Sequence, residues 1–130
     1  MCSTSGGARR LGQIFRLQLS ASGEEDILEL FFESVSQHQF NYGDNLLVAP
    51  NGHLIVCEDQ YTRVVDNFLR GVTPDGHAYP LARLRLQTEL AGACFSPDGQ
   101  TLFVNVYSPT KTLAITGPWH AFNAKTVSLV

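Results

Sequence analysis

The 130-residue sequence has little charge and no apolar run long enough to cross a membrane as a helix. Charged residues make up 16% of the chain, and the formal net charge is −3. This balance excludes the strongly basic surface that nucleic-acid binding requires. We therefore expect neither a nucleic-acid partner nor a membrane partner. Residues 1–7 lack the basic start and apolar core of an export signal.

Cysteine and histidine patterns exclude several further classes of protein. The three cysteines, Cys2, Cys57 and Cys94, have no CxxC spacing and give no disulfide framework. Because free cysteine is among the most buried residue types, we expect Cys57 and Cys94 to be buried thiols. The four histidines show no zinc-ligand spacing. No GxSxG, Walker A or GxGxxG motif is present, so serine-hydrolase and nucleotide-binding folds lack support.

A β-hairpin pattern occurs twice in the chain. Apolar segments flank a turn at Asn51-Gly52 and again at Pro97-Asp98-Gly99, and the prolines Pro50 and Pro97 lie 47 positions apart. A period of roughly 40–50 residues with several short strands in each unit is typical of a β-propeller. The repeat therefore predicts an all-β protein built from propeller blades.

The strand pattern predicts about two four-stranded antiparallel blades. We expect the outer half of one blade at about 12–34, a whole blade at about 45–82 and the inner half of a third at about 90–107. Residues 27–34 fit a strand or a helix face, and we favour a strand. Since propellers close with about four to eight blades, the ring is predicted to be incomplete. We expect a fragment of a longer protein or a chain that needs a partner.

The turn at Asn51-Gly52 has the strongest local signal for a hairpin. Asn-Gly between apolar segments favours a type I′ turn, because both central residues must tolerate positive φ. Such a turn pairs Pro50 with His53, and counting outward places Asn45 opposite Glu58.

Polar residues occupy the same open end of two neighbouring predicted blades. They are Asp44, Asn45, Glu58, Asp59 and Glu89. Clustered carboxylates repel one another unless a cation or a proton lies among them, and hard cations such as calcium prefer carboxylate and amide oxygens. These residues predict a metal site that lacks the ligands of other blades. The alternative is that the acids are simply solvated and that Asn45 caps a turn.

Two arginines, Arg70 and Arg83, lie in the same predicted blade as Glu58. Arginine suits phosphate oxygens because its planar guanidinium donates two parallel hydrogen bonds. We predict both as substrate-binding residues, with surface arginines on an outer strand as the alternative.

Several ordered segments resemble the PhoX-type alkaline phosphatases. They are Asp44-Asn45-Leu46 with Val48-Ala49-Pro50, residues 54–59 with their Cys57-Glu58-Asp59 motif, and residues 69–76, 89–99, 101–105 and 112–119. Residues 3–7 and 11–14 are similar too. The resemblance spans residues 1–119, which it identifies as the C-terminal portion of a PhoX-like propeller. Residues 120–130 are predicted to be a divergent tail.

The resemblance implies a six-bladed phosphate-monoester hydrolase that uses calcium and ferric iron ions. It also implies export of the full-length parent to the periplasm. By this resemblance Glu58 and Glu89 are expected metal ligands, with Asn45 and Asp59 as further candidates. No catalytic residue is assigned. The chain departs from the family at Leu84, where an asparagine is usual, and at Gln60, where a glycine is usual.

The expected function is therefore that of a fragment of a metal-dependent phosphatase that is inactive alone. One alternative is a lactonase-type propeller that uses calcium on a carbonyl substrate. Another is a non-catalytic propeller piece that binds a partner through exposed blade edges.

Overall fold

Three antiparallel sheets and one short helix make up the regular secondary structure of the described residues, 1–60 and 66–124, in a computed structural model. The first sheet contains β1 (Cys2–Ser3), β2 (Gln13–Gln18) and β3 (Ile27–Glu33). The second contains β4 (Gly43–Val48), β5 (Leu54–Glu58), β6 (Asn67–Val72) and β7 (Ala78–Leu84). The third contains β8 (Leu90–Phe95), β9 (Thr101–Val106) and β10 (Lys111–Thr116), and the short helix α1 (Trp119–Asn123) follows it.

Each sheet is a meander in which consecutive strands pair, as in a propeller blade. The first strands of the three sheets are neighbours, since β1 contacts β4 and β4 contacts β8. The described residues thus form an all-β partial propeller with an open ring, which confirms the predicted fold class. The four-stranded middle sheet is the whole blade expected from sequence. The sequence patterns missed β1, β10 and the helix. No described helix has the length and apolarity that membrane crossing needs.

Strand β5 lies at the centre of the core, because apolar side chains cover both of its faces. Ile55 and Cys57 pack toward the third sheet with Leu69 of β6. Val56, on the opposite face, packs toward the first sheet with Val72. All three β5 side chains are at most 1% exposed. A strand covered on both faces needs a continuous apolar run, and this explains why residues 54–57 do not alternate with polar residues.

The hairpin between β4 and β5 differs from the predicted two-residue type I′ turn. Ala49 N donates to His53 O over 2.8 Å, so the loop contains three residues, Pro50, Asn51 and Gly52. Of these only Gly52 has positive φ, at 87°. Pro50 has the φ that the first central position of a type I turn needs, and Gly52 takes the left-handed position that follows this turn. The sequence therefore favours the three-residue loop over the type I′ turn.

The longer loop and a bulge together change the register of the hairpin. Val48 pairs with Leu54, and Gly43, rather than Asn45, lies opposite Glu58. The irregularity between Gly43 and Leu46 leaves Asp44 and Asn45 exposed at the strand end. The predicted pairing of Asn45 with Glu58 was therefore wrong.

We expect Gly52→Ala to lower the free energy of unfolding by about 1 kcal/mol, because a side chain disfavours the left-handed backbone. The new Cβ would meet no atom nearer than Pro74 Cγ at 3.9 Å, so backbone strain alone is measured. Gly117→Ala is the matched control, since its Cβ would make ordinary contacts with Trp119 from 3.7 Å and no positive φ is involved. Urea unfolding of the three proteins compares them. Equal losses in both variants would contradict the left-handed backbone at Gly52.

Three smaller predictions have clear outcomes. The segment at residues 27–34 contains strand β3 (Ile27–Glu33), as favoured, and no helix. Cys57 is buried, but Cys94 is exposed. Cys94 pairs with Phe103 on the open face of the third sheet, while its neighbours Ala93 and Phe95 pack on the core. The prediction of a buried Cys94 thiol was wrong because the sequence does not show which face of β8 is covered. In the predicted tail, residues 125–130 lie outside the described residues.

Candidate metal centre

At the open end of the second and third sheets, the carboxyl groups of Asp59 and Glu89 are in contact, and Asp44 lies near enough for its charge to act on Glu89. Asp44 lies in the bulge of β4, Asp59 follows the last residue of β5, and Glu89 precedes β8. Strand β8 also has an irregular register, between Leu90 and Ala93. Bulges next to functional sites redirect side chains, and both bulges lie at this end of their sheets.

Glu89 is the most perturbed carboxyl group of this cluster. Contact with the Asp59 carboxyl raises the pKa of Glu89 to about 7, and burial and the charges of Asp59 and Asp44 act in the same direction. Two carboxylates in contact cannot both ionise freely unless a positive charge joins them. The pair therefore favours either a shared proton or a bound cation.

Asp59 has one carboxylate oxygen without a partner. Its Oδ1 is buried and accepts no hydrogen bond from the described residues. The backbone of Asp59 is well held, because its N–H donates to Tyr42 O over 2.9 Å. Tyr42 itself adopts a left-handed backbone with φ of 55°, which is uncommon for a residue with a side chain. A fixed backbone and an unpartnered buried oxygen suit a ligand for a cation.

Asn45 lies at the same end, close to β8. Its Oδ1 is 4.0 Å from the position that a Cβ on Gly92 would occupy. Its amide Nδ2 donates to Asp44 Oδ2 over 3.0 Å. Asn45 is exposed, so its amide oxygen is available to a ligand from outside the described residues.

Glu58 points away from this cluster and into the middle sheet. Its Oε1 accepts from Asn41 N over 2.9 Å and from Arg70 Nε over 2.7 Å, and its Oε2 accepts from Phe68 N over 2.9 Å. The side chain is fully buried. Burial raises the pKa of Glu58, and the three hydrogen bonds oppose that effect. A buried carboxylate with these partners contributes to the structure of the middle sheet. The metal-ligand role of Glu58 stays a prediction.

The two arginines have different environments. Arg70 is buried beside Glu58, and its guanidinium lies 4.1 Å from the centre of the Phe68 ring. Arg83, on the neighbouring strand, has a half-exposed side chain and an ion pair with Asp66 over 3.4 Å. Arg83 is thus the more accessible of the two, and the substrate-binding role of both arginines stays a prediction.

Sequence reasoning missed the buried polar residues that connect the loops of this end. They are Asn41, Gln60, Asn67 and Thr88, none of which is more than 7% exposed. The only sequence signal was Gln60, noted as a departure from a related pattern. A buried amide cannot be recognised from its neighbours in sequence, because its partners lie up to 21 positions away.

The described residues hold no group of three histidine, cysteine or acidic side chains placed to hold a metal ion. The cluster nevertheless offers a carboxylate pair, in which one Asp59 oxygen has no partner, and the amide oxygen of Asn45, all of them ligands that hard cations prefer. These residues fit part of a calcium coordination shell, which takes six to eight oxygens.

The fold and this cluster together define a partial propeller with acidic residues at one end of its second and third sheets. Comparison with protein families matches residues 7–110 to the family described as alkaline phosphatase PhoX. The chain belongs to this family, which consists of metal-dependent phosphatases. No curated protein and no solved structure matches the chain.

Proposed function

We propose that this chain supplies part of the calcium-dependent centre of a phosphatase that hydrolyses phosphate monoesters. The observation that supports this most directly is the Glu89–Asp59 carboxyl pair beside an unpartnered Asp59 oxygen. Asn45 is the third proposed ligand. Calcium and ferric iron are the proposed ions, and a bound cation would polarise the phosphoryl group and activate an oxygen nucleophile.

The proposed role of Glu58 differs from that of the other ligands. Three hydrogen bonds already use both of its oxygens, so a cation bound there competes with the Arg70 guanidinium, and we propose that it opens the Arg70 ion pair. In that event Arg70 would be released toward a phosphate group, for which its guanidinium is well shaped. Arg83 is proposed as a second contact for the substrate phosphate.

We further propose that turnover needs blades beyond the three described sheets, from the same protein or from another chain. Three sheets leave the ring open, and the cluster offers fewer oxygens than calcium takes. We expect little or no phosphatase activity from these 130 residues alone. For the full-length parent we propose a periplasmic location, by family resemblance.

Calcium titration of the full chain tests the site directly. We expect saturable heat in isothermal titration calorimetry and a higher Tm with calcium, since a ligand that binds only the folded state stabilises it. Glu89→Gln should weaken calcium binding about tenfold or more by removing a charged ligand. Glu25→Gln is the matched control, because it removes the same charge from an exposed turn. The proposal would be contradicted if the unsubstituted chain did not bind calcium, or if both variants changed the calcium affinity equally.

Activity assays then separate the classes of function. Hydrolysis of p-nitrophenyl phosphate by a longer protein that contains this chain, with calcium and iron added, supports the phosphatase. Turnover of a lactone in preference to the phosphate ester would favour the lactonase-type propeller. Full phosphatase activity of the 130 residues alone would contradict the need for further blades.

A further inference from the structure

The loops that bear the acidic pair are joined through one buried side chain, that of Asn67. Asn67 is the first residue of β6 and is 2% exposed. Its position on a paired strand, opposite Leu84 of β7, fixes its backbone. A side chain mounted on a strand is held more accurately than one on a loop.

The Asn67 amide makes three hydrogen bonds to backbone groups of two loops. Its Oδ1 accepts from Gln60 N over 3.1 Å, and its Nδ2 donates to Gln60 O over 3.0 Å. The same Nδ2 donates to Thr88 O over 2.6 Å. Gln60 directly follows Asp59 and Thr88 directly precedes Glu89, so a single amide fixes the residue next to each member of the acidic pair.

Each acidic residue has one further backbone contact on its other side. Asp59 N donates to Tyr42 O, and Glu89 O accepts from Tyr107 N over 3.2 Å. Neither contact joins the two loops to each other. Strands β5 and β8 pack in one core cluster, but like charges in contact repel at their ends, so a local connection is needed to keep the carboxyl groups together. Apart from the acidic pair itself, the Asn67 amide is the side chain among the described residues whose hydrogen bonds reach the backbone of both loops.

We propose that Asn67 is a positioning residue that holds the Asp59 and Glu89 carboxyl groups together by bridging Gln60 and Thr88. This inference deepens the proposed function, since it concerns the same site. It assigns a role to a buried side chain that touches neither a cation nor a substrate. Residues that orient ligands from outside the coordination shell typically change metal affinity about 10- to 100-fold when they are removed.

A double-mutant cycle without metal tests the bridge. At pH 8 with EDTA, we expect Glu89→Gln to raise the Tm by about 4 °C, because it removes the repulsion within the pair. In an Asn67→Ala background the same change should raise the Tm by less than half as much, because the carboxyl groups have moved apart. An unchanged gain would overturn the proposal.

Gln60→Ala is the matched control for a merely structural effect. It removes the buried contacts of the Gln60 side chain with Asn41 and with Asp66 O, but it keeps the backbone groups that Asn67 binds. We expect Gln60→Ala to lower the Tm while the gain from Glu89→Gln persists. Loss of the gain in both backgrounds would indicate general loosening of the loops and would overturn the specific role of Asn67.

If Asn67→Ala does not fold, Asn67→Ser is the second variant, because its hydroxyl reaches at most one loop and still fills part of the space. Calcium titration gives an independent readout, with about tenfold weaker binding expected for the Asn67 variant. The two hypotheses fail separately. Absence of calcium binding by the unsubstituted 130-residue chain contradicts the proposed metal site. The double-mutant cycle measured in EDTA tests the role of Asn67 whether or not calcium binds.

Discussion

Replacing Arg70 with methionine is expected to lower the free energy of unfolding by about 3–5 kcal/mol, enough to unfold much of the protein. The side chains of Arg70 and Glu58 are 4% and 0% exposed, and their ion pair is 2.7 Å long. Methionine fills a similar space but leaves the Glu58 carboxylate buried without its cation. The loss therefore comes mainly from a stranded charge rather than from a cavity. Urea unfolding at pH 7 measures it.

Arg83→Met is the matched control on the neighbouring strand. Arg83 also lies near the Phe68 ring, at 5.8 Å, and also pairs with an acid, Asp66. Its side chain is 48% exposed, so water screens the ion pair and the expected loss is at most about 1 kcal/mol. Equal losses in the two variants would show that the burial of the Arg70–Glu58 pair has no special effect on stability.

A double variant separates charge from packing. Adding Glu58→Gln to Arg70→Met removes the stranded charge, while the amide oxygen can still accept one of the backbone bonds from Asn41 and Phe68. We expect it to recover part of the stability that Arg70→Met loses. An Arg70 that served only to bind phosphate would give a different result, with lost phosphatase activity in any active protein that contains this chain and little change in stability.

The fold was predictable from sequence wherever a local pattern determined it. The apolar run of β5 and the glycine turns at Gly52 and Gly76 define the middle sheet, which matches the predicted blade. Strand β10 was not predicted from the sequence, because its side chains are mostly exposed and no alternation of apolar and polar residues marks it. The register of the β4–β5 hairpin was predicted wrongly, because Pro50 extends the loop and a bulge displaces Asp44.

The site was predictable as a set of residues but not as a geometry. The acids at the strand ends follow from the hairpin repeat, and the structure brings Asp59 and Glu89 into contact, with Asp44 near enough for its charge to act on Glu89. Glu58 lies only one position from Asp59, yet it faces the interior and binds Arg70. Successive residues of a strand point to opposite faces, and the sequence does not state which face a neighbouring sheet covers.

The stability of the metal-free protein is expected to fall as the pH rises from 5 to 8. The folded state raises the pKa of Glu89 from 4.5 to about 7, so folding favours the protonated form. That contribution is fully present below the unfolded pKa and is lost as the pH rises through 7. We expect a loss of about 1–2 kcal/mol, less than the full pKa shift implies because solvent reaches the half-buried group.

Four of the other groups with shifted pKa values, Asp75, Asp98, Cys2 and Cys57, titrate outside this pH window. The lowered pKa values of Asp75 and Asp98 affect stability only at more acidic pH. Burial raises the pKa of the Cys2 and Cys57 thiols to about 11, so both titrate at more alkaline pH. Burial also raises the pKa of Glu58, which adds to the fall in the same direction. The contribution of Glu89 is therefore measured as the difference in unfolding free energy between the unsubstituted chain and a variant that lacks this carboxyl group.

Glu89→Gln provides that difference, because the amide has no charge to lose. Urea unfolding at pH 5, 6, 7 and 8 in EDTA should give a smaller fall in stability for the variant than for the parent sequence, with the gap largest at pH 8. Calcium should remove this difference by raising the stability of the unsubstituted chain at pH 8, since a cation between Asp59 and Glu89 stabilises the ionised pair. Parallel pH profiles for the two proteins would mean that the carboxyl groups are not in contact in solution.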